Sequence, residues 1–353
     1  MQTPNNMFNM KRITLLVMGL FLLTHITDAQ LTVREKRILE RSYNDGVTQM
    51  MDRDYLDAIS SFDRCIELNP SFALAYLQKG RTKAALGKDQ EAVMELSRAI
   101  QQDPDLGEAY FYMGYFMFGE DTTGTSEELL RTALEKGFET AEVHYYLGVS
   151  ELLRGEDDKA LISFNKAVRM KDDYALAYHD RAGIKRRLGD YNGALYDYKT
   201  AVNYRTEFPM AYNNMGLLKI ILGDFAGAIE DFTMAVEQDP DYFLAYNSRG
   251  YAHYQLGEID TALVDFRKAV ALQPGFMEAR MNAASVHAKN NDLESSLALL
   301  DDLIGQKPET GIIYLNRGLV REMKGDIQGA CADWGKAADL GEEQASEYLK
   351  ECQ

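Results

Sequence analysis

Small, aromatic and alanine positions return along this chain every 34 residues. The small place is Gly46, Gly80, Gly114, Gly148, Ala182, Gly216, Gly250, Ala284 and Gly318, with no insertion between occurrences. Four residues earlier most units carry tyrosine (Tyr76, Tyr110, Tyr178, Tyr212, Tyr246, Tyr314), and twelve residues later alanine (Ala58, Ala92, Ala160, Ala194, Ala228, Ala262, Ala330). Sixteen later comes a large apolar side chain (Phe62, Leu96, Leu130, Phe164, Tyr198, Phe232, Phe266, Leu300, Trp334), and three beyond that usually alanine. Offsets of three and four are those of neighbours on one helix face. Large places set against small ones predict two helices packed so closely that only Gly or Ala fits where their axes cross, with an aromatic knob filling the gap beside them.

Gly87, Gly155, Gly189, Gly223, Gly257 and Gly325 end the first helix of a unit, and Asp or Glu usually follows to open the second. Pro70, Pro104, Pro240, Pro274 and Pro308 mark the passage to the next unit. The stretch AYNSRGYAHYQLGEIDTALVDFRKAVALQP, Ala245 to Pro274, resembles a tetratricopeptide repeat almost place for place. The resemblance implies an all-α, right-handed superhelical solenoid of nine helix-turn-helix repeats, first helices lining a concave groove. The repeats are 39–72, 73–106, 107–140, 141–174, 175–208, 209–242, 243–276, 277–310 and 311–341. A lead-in, 30–38, precedes them, and a capping helix, 342–353, shields the last apolar face. The third unit departs from the pattern with Asp121 at the turn-glycine place and Ser126 at an alanine place. The eighth has Arg280, Ala284 and Ser296 for Tyr, Gly and Ala; both units predict looser packing or a bend.

Ahead of the repeats, Lys11 and Arg12 precede an uncharged run from Ile13 to Leu23, then a polar stretch ending in small Ala29. That is the layout of a secretory signal peptide over 1–29, and eleven apolar residues are too few to span a bilayer as a helix. The expectation is an exported chain, periplasmic or at the surface of a bacterial envelope. The formal net charge of −17 excludes binding to nucleic acid by unspecific phosphate neutralisation, and argues against an acidic membrane surface.

AYHDRAGIKRR, 177–187, has the look of a catalytic or phosphate-binding cluster. The place before the small residue is nevertheless basic in four units (Lys79, Arg181, Arg249, Arg317), and sixteen residues on each has an acid (Glu95, Asp197, Asp265, Asp333), which predicts a structural contact between the two helices of a hairpin. His179, Gly183, Arg186 and Arg187 remain as a candidate basic pocket for a carboxylate or phosphate, while Lys185 points to the neighbouring helix. His144 takes a tyrosine place, and His253 and His287 are equivalents one unit apart without a third ligand, so no metal site, cofactor or catalytic constellation is expected.

The resemblance places Phe111, Tyr115, Phe118, Tyr145, Leu152, Leu217, Ile220, Tyr251 and Tyr254 along the groove, about half of the aromatics packing hairpin on hairpin instead. Asn213 and Asn247 are candidates to bond an extended peptide backbone. Cys65 takes an inner small place and reads as a buried thiol. Cys331 and Cys352 lie ten residues before and eleven after Gly341, so a turn there brings them opposite one another as a disulfide. The sequence therefore points to a non-enzymatic adaptor that binds a peptide or helix of a protein partner. The alternative is a glycan or cell-wall ligand stacked on the groove aromatics.

Overall fold

The computed structural model describes residues 31–118 and 124–352. The expected signal peptide and Asp121 lie outside them.

Two compact units, divided after Asp172, are each built from consecutive helical hairpins. The first unit pairs α1 (Val33–Met51) with α2 (Tyr55–Leu68), α3 (Ala73–Ala85) with α4 (Asp89–Gln102), α5 (Gly107–Met117) with α6 (Thr125–Glu135), and α7 (Ala141–Leu153) with α8 (Asp157–Met170). The second pairs α9 (Ala175–Arg187) with α10 (Tyr191–Tyr204), α11 (Pro209–Ile221) with α12 (Phe225–Gln238), and α13 (Phe243–Gln255) with α14 (Ile259–Leu272). It continues with α15 (Met277–Lys289) and α16 (Leu293–Gln306), then α17 (Gly311–Met323) and α18 (Ile327–Asp339), and closes with α19 (Ala345–Tyr348) and a 3-10 turn, Leu349–Cys352.

The large-against-small rule holds at the crossings. A Cβ on Gly46, Gly216 or Gly250 would come within 2.7, 2.7 and 2.9 Å of Phe62, Phe232 and Phe266. Phe62, Phe164 and Phe232 are wholly buried, each contributing about 2 to 3 kcal/mol of transfer free energy. In the eighth hairpin Ala284 and Leu300 fill this crossing. The turn glycines adopt positive φ, from 73° at Gly87 to 84° at Gly325, where a side chain is strained.

Both irregular units are explained locally. In the third, α5 and α6 are eleven residues each, against thirteen or fourteen in the hairpin that follows. Ser126 fits an alanine place by donating to the Gly114 carbonyl at 2.7 Å. In the eighth, α15 and α16 meet over a smaller surface than the helices of the other hairpins. Arg280 there pairs with Asp302, and the buried Ser296 hydroxyl finds no hydrogen-bond partner among the described residues.

The lead-in is helical from Val33, because Thr32 caps α1 in a reciprocal box with Glu35: the Glu35 N–H donates to Thr32 Oγ1 at 3.3 Å, and the Thr32 N–H to Glu35 Oε2 at 2.7 Å. The expected capping helix is one short helix followed by the 3-10 turn. Tyr348 stacks on Trp334 with ring centroids 5.1 Å apart, and Ala345 is wholly buried.

Candidate functional site

The four predicted base-acid pairs form. Arg181 and Arg249 each grip their aspartate with both arms of the guanidinium, at 2.7 and 2.7 Å and at 2.8 and 2.7 Å. Arg317 does the same to Asp333 at 2.8 and 2.5 Å, and Lys79 lies 3.1 Å from Glu95. Arg181 is therefore scaffold. The acids are more deeply buried than the sequence indicates: Asp197 is 0% and Asp265 2% exposed.

Further contacts explain how such burial is sustained. Three residues after the small place lies a second base, and Lys83, Lys185 and Arg321 reach the same acids at 2.8 Å. The first base also reaches back sixteen residues to the preceding hairpin, Lys79 to Asp63 at 2.7 Å, Arg249 to Thr233 at 3.2 Å and Arg317 to Asp301 at 2.6 Å. It lies over the tyrosine three residues before it, 5.1 Å from the ring centre in Arg181 and 5.4 Å in Arg249. One cation thus ties two hairpins and a tyrosine together.

The exceptions follow. In the sixth hairpin Met215 replaces the first base. Lys219 Nζ, which also donates to the Gly227 carbonyl at 3.0 Å, lies 2.7 Å from Asp231 Oδ2 and is the one base paired with that buried acid among the described residues. Burial raises the Asp231 pKa, against the pull of Lys219. In the fourth hairpin the signs reverse. Glu151 takes the second-base place and is held by Ser163 at 2.6 Å and Arg131 at 2.8 Å.

Within each unit first helices touch the next first helix, α1 to α3 to α5 and α9 to α11 to α13 to α15 to α17. Their free faces are where the candidate groove residues belong. Tyr251 and Arg187 are exposed, and Tyr115, Phe118, Arg186, Asn247 and Tyr254 are half-buried, as are Leu152, Leu217 and Ile220. Phe111, Tyr145, His179 and Asn213 are buried, between 3% and 9% exposed, and do not line an open surface. The reason is aromatic crowding within each repeat, in the hairpin or the segment that follows it. Phe111 packs on Phe138 at 5.5 Å, Tyr145 on Phe164 at 5.8 Å and His179 on Phe208 at 5.0 Å. Tyr115 and Phe118 converge on Tyr146, at 4.8 and 5.8 Å, and burial raises the pKa of that phenol.

The proposed basic pocket loses its histidine. His179 Nδ1 donates to Asp180 at 2.7 Å and Nε2 accepts from the Asn214 amide at 2.9 Å, so both ring nitrogens are engaged. Arg186 bonds the Tyr198 phenol, whose pKa is raised by burial against that pull. Asn247 accepts from Asn282 at 2.9 Å, the same contact one repeat step apart that His179 makes with Asn214. Asn213 Oδ1 is buried without a hydrogen-bond partner among the described residues. Tyr254 carries the Lys289 ammonium 4.3 Å from its ring centre, which leaves Tyr251 as the open face of the two sugar-stacking candidates. His253 and His287 make one repeated contact, each to an acid five residues on, at 2.5 and 2.9 Å. Among the described residues no group of three or more His, Cys, Asp or Glu is placed to hold a metal. Cys331 and Cys352 form the expected disulfide, with Cα atoms 5.9 Å apart. Cys65 is a buried free thiol, and burial raises its pKa to about 12.

Sequence profiles described as tetratricopeptide repeat match residues 49–106, 124–175, 243–276 and 281–346, and one described as TPR repeat matches 219–257, more than half of the chain together. Human tetratricopeptide repeat protein 13 is 29% identical over 121 residues, 34% of this chain and 14% of its own length. The rat mitochondrial import receptor subunit TOM70 is 25% identical over 142 residues, 38% of this chain and 23% of its own. The chain thus spans less than a quarter of either relative. In the crystal structure of the APC/C hetero-tetramer Cut9-Hcn1 a chain superposes with a TM-score of 0.55 at 16% identity, covering 84% of this chain and 59% of that one. This likeness is one of fold.

Proposed function

The chain belongs to the tetratricopeptide repeat family, and from that premise we propose that it is a non-enzymatic, exported scaffold holding a peptide segment or helix of another protein on its first-helix surface, within a bacterial envelope or secretion assembly. One observation carries the reading. On the adjoining helices α11 and α13, Met210, Ile221, Leu244 and Tyr251 are 47%, 49%, 41% and 38% exposed. Met210, Leu217 and Ile221 follow one another at seven and four residues, and Leu244 and Tyr251 at seven, so each helix offers one apolar stripe. Contiguous exposed apolar surface of this kind marks an interaction site. The relative named as an import receptor subunit adds support for a protein partner.

Export is supported by the leader's layout and by the Cys331–Cys352 bridge, a bond that persists in oxidising compartments. Fusing residues 1–40 to a reporter active only outside the cytoplasm, and sequencing the mature terminus, tests it; cleavage before Gln30 is expected. For the surface, crosslinked partners are recovered from native envelopes with the unaltered chain and with Ile221→Asp/Tyr251→Ala. Both side chains are exposed, so helicity is retained. An unchanged partner set in the variant would remove this face from consideration.

A further inference from the structure

At the outer face of the first hairpin the spacing of Arg34, Arg37 and Arg41, three and four residues apart, sets three guanidinium stems on one side of α1. Arg64 of α2 joins them, and together with Ser42 and Asp45 they line a cleft of about 630 Å³. The four arginines are exposed, whereas Ser42 is 6% exposed. Among the described residues the only carboxylate lining the cleft is Asp45, 3.8 Å from Arg41, both of them exposed. Arg34, Arg37 and Arg64 have no ion-pair partner among the described residues. The lining is four positive charges against one negative in a chain of net charge −17.

A terminal face that needed only to be wetted would be served by mixed charges. Like charges three and four residues apart on a helix oppose its formation, an arrangement that a bound anion reverses. Guanidinium forks match tetrahedral phosphate oxygens in pairs, and several forks converging suit a multiply charged group better than a single carboxylate. Residues 1–30 do not supply that charge, since they hold one acid, Asp28, against Lys11 and Arg12. We propose that this cleft binds phosphate groups, with Arg34, Arg37, Arg41 and Arg64 as the anion-holding residues. The site is separate from the first-helix stripe of α11 and α13 and stands or falls without it.

Two sources present this chemistry, a soluble polyphosphate and the headgroups of an anionic lipid. Calorimetric titration of the purified chain with pyrophosphate, and co-sedimentation with phosphatidylglycerol vesicles against phosphatidylcholine vesicles, distinguish them. Binding is expected to weaken with added salt and to fall by at least about tenfold in Arg37→Gln/Arg41→Gln and in Arg64→Gln, with Arg169→Gln on α8 unchanged. Pyrophosphate binding alone supports the proposal with a soluble source. Phosphatidylglycerol binding that pyrophosphate displaces supports it with the lipid. The proposal is overturned if neither probe binds, if both arginine variants bind as well as the unaltered chain, or if a polyglutamate peptide binds where pyrophosphate does not. Circular dichroism of each variant confirms that α1 and α2 still form.

Discussion

Replacing Arg249 by methionine strips Asp265 of both its short hydrogen bonds, 2.8 and 2.7 Å, and leaves only His253, 3.9 Å away. The carboxylate is 2% exposed and its charge is then uncompensated. Breaking one side of a buried pair costs about 3 to 5 kcal/mol. The Arg249 side chain is 19% exposed, so water reaches part of the vacated space and the lower end, about 3 kcal/mol, is expected. Loss of the Thr233 bond and of the contact over Tyr246 adds about 1 kcal/mol. Arg317→Met is expected to cost less, about 1 to 2 kcal/mol, because Arg321 remains 2.8 Å from Asp333. In Arg249→Met/Asp265→Leu no charge is stranded, and most of the loss returns. The assay is guanidinium unfolding followed by circular dichroism and by Trp334, the chain's single tryptophan, which lies in the same unit as Arg249. If Arg249→Met costs under about 1 kcal/mol, or the double variant equals the sum of the singles within about 0.5 kcal/mol, the buried-carboxylate argument is wrong.

Asp231 behaves in the opposite sense. Its carboxyl pKa is raised by burial above 3.8, so folding takes up a proton, and its contribution to stability is most favourable below the unfolded value and declines as pH rises through the folded one. Asp231→Asn is therefore expected to raise the melting temperature at pH 7, the gain fading as pH falls towards 3.8, and Met215→Arg to give a similar gain by supplying the missing base; a loss in both at pH 7 would sink this account. In thiol labelling of the native chain Cys65 is expected to stay unmodified, while Cys331 and Cys352 react only after reduction. Cys352→Ser should lower the stability of the closing segment by about 3 kcal/mol, and an unchanged unfolding curve would show that the bridge pins nothing. Gly318→Ala puts a Cβ about 2.4 Å from the Trp334 indole nitrogen, and a loss of about 1 to 3 kcal/mol is expected in thermal unfolding.

By itself the sequence determined the hairpin. Gly250 and Phe266, Arg249 and Asp265, and the turn at Gly257 all fall inside one 34-residue unit, where helix geometry alone dictates which side chains meet. Repetition then made the rule visible, because nine copies of one packing problem share one solution. The pairing of Cys331 with Cys352 was legible for the same reason, a single turn at Gly341 separating two antiparallel segments. The Thr32 and Glu35 capping box, and Arg34 and Arg37 of α1, were legible too but lie ahead of the first repeat, where no sibling units pointed to them.

Tertiary structure decided which side chains stay exposed. Phe111, Tyr145 and His179 are covered by Phe138, Phe164 and Phe208 from their own repeats, and His179 also by Asn214 of the next. The second base, at Lys83, Lys185 and Arg321, and the backward reach of Lys79 and Arg317 likewise depend on how deeply neighbouring helices bury the shared acid. Periodicity encodes the contacts a residue makes with its own helix pair. Exposure is a property of the stack, because it depends on side chains 20 to 35 residues away whose identity varies from unit to unit.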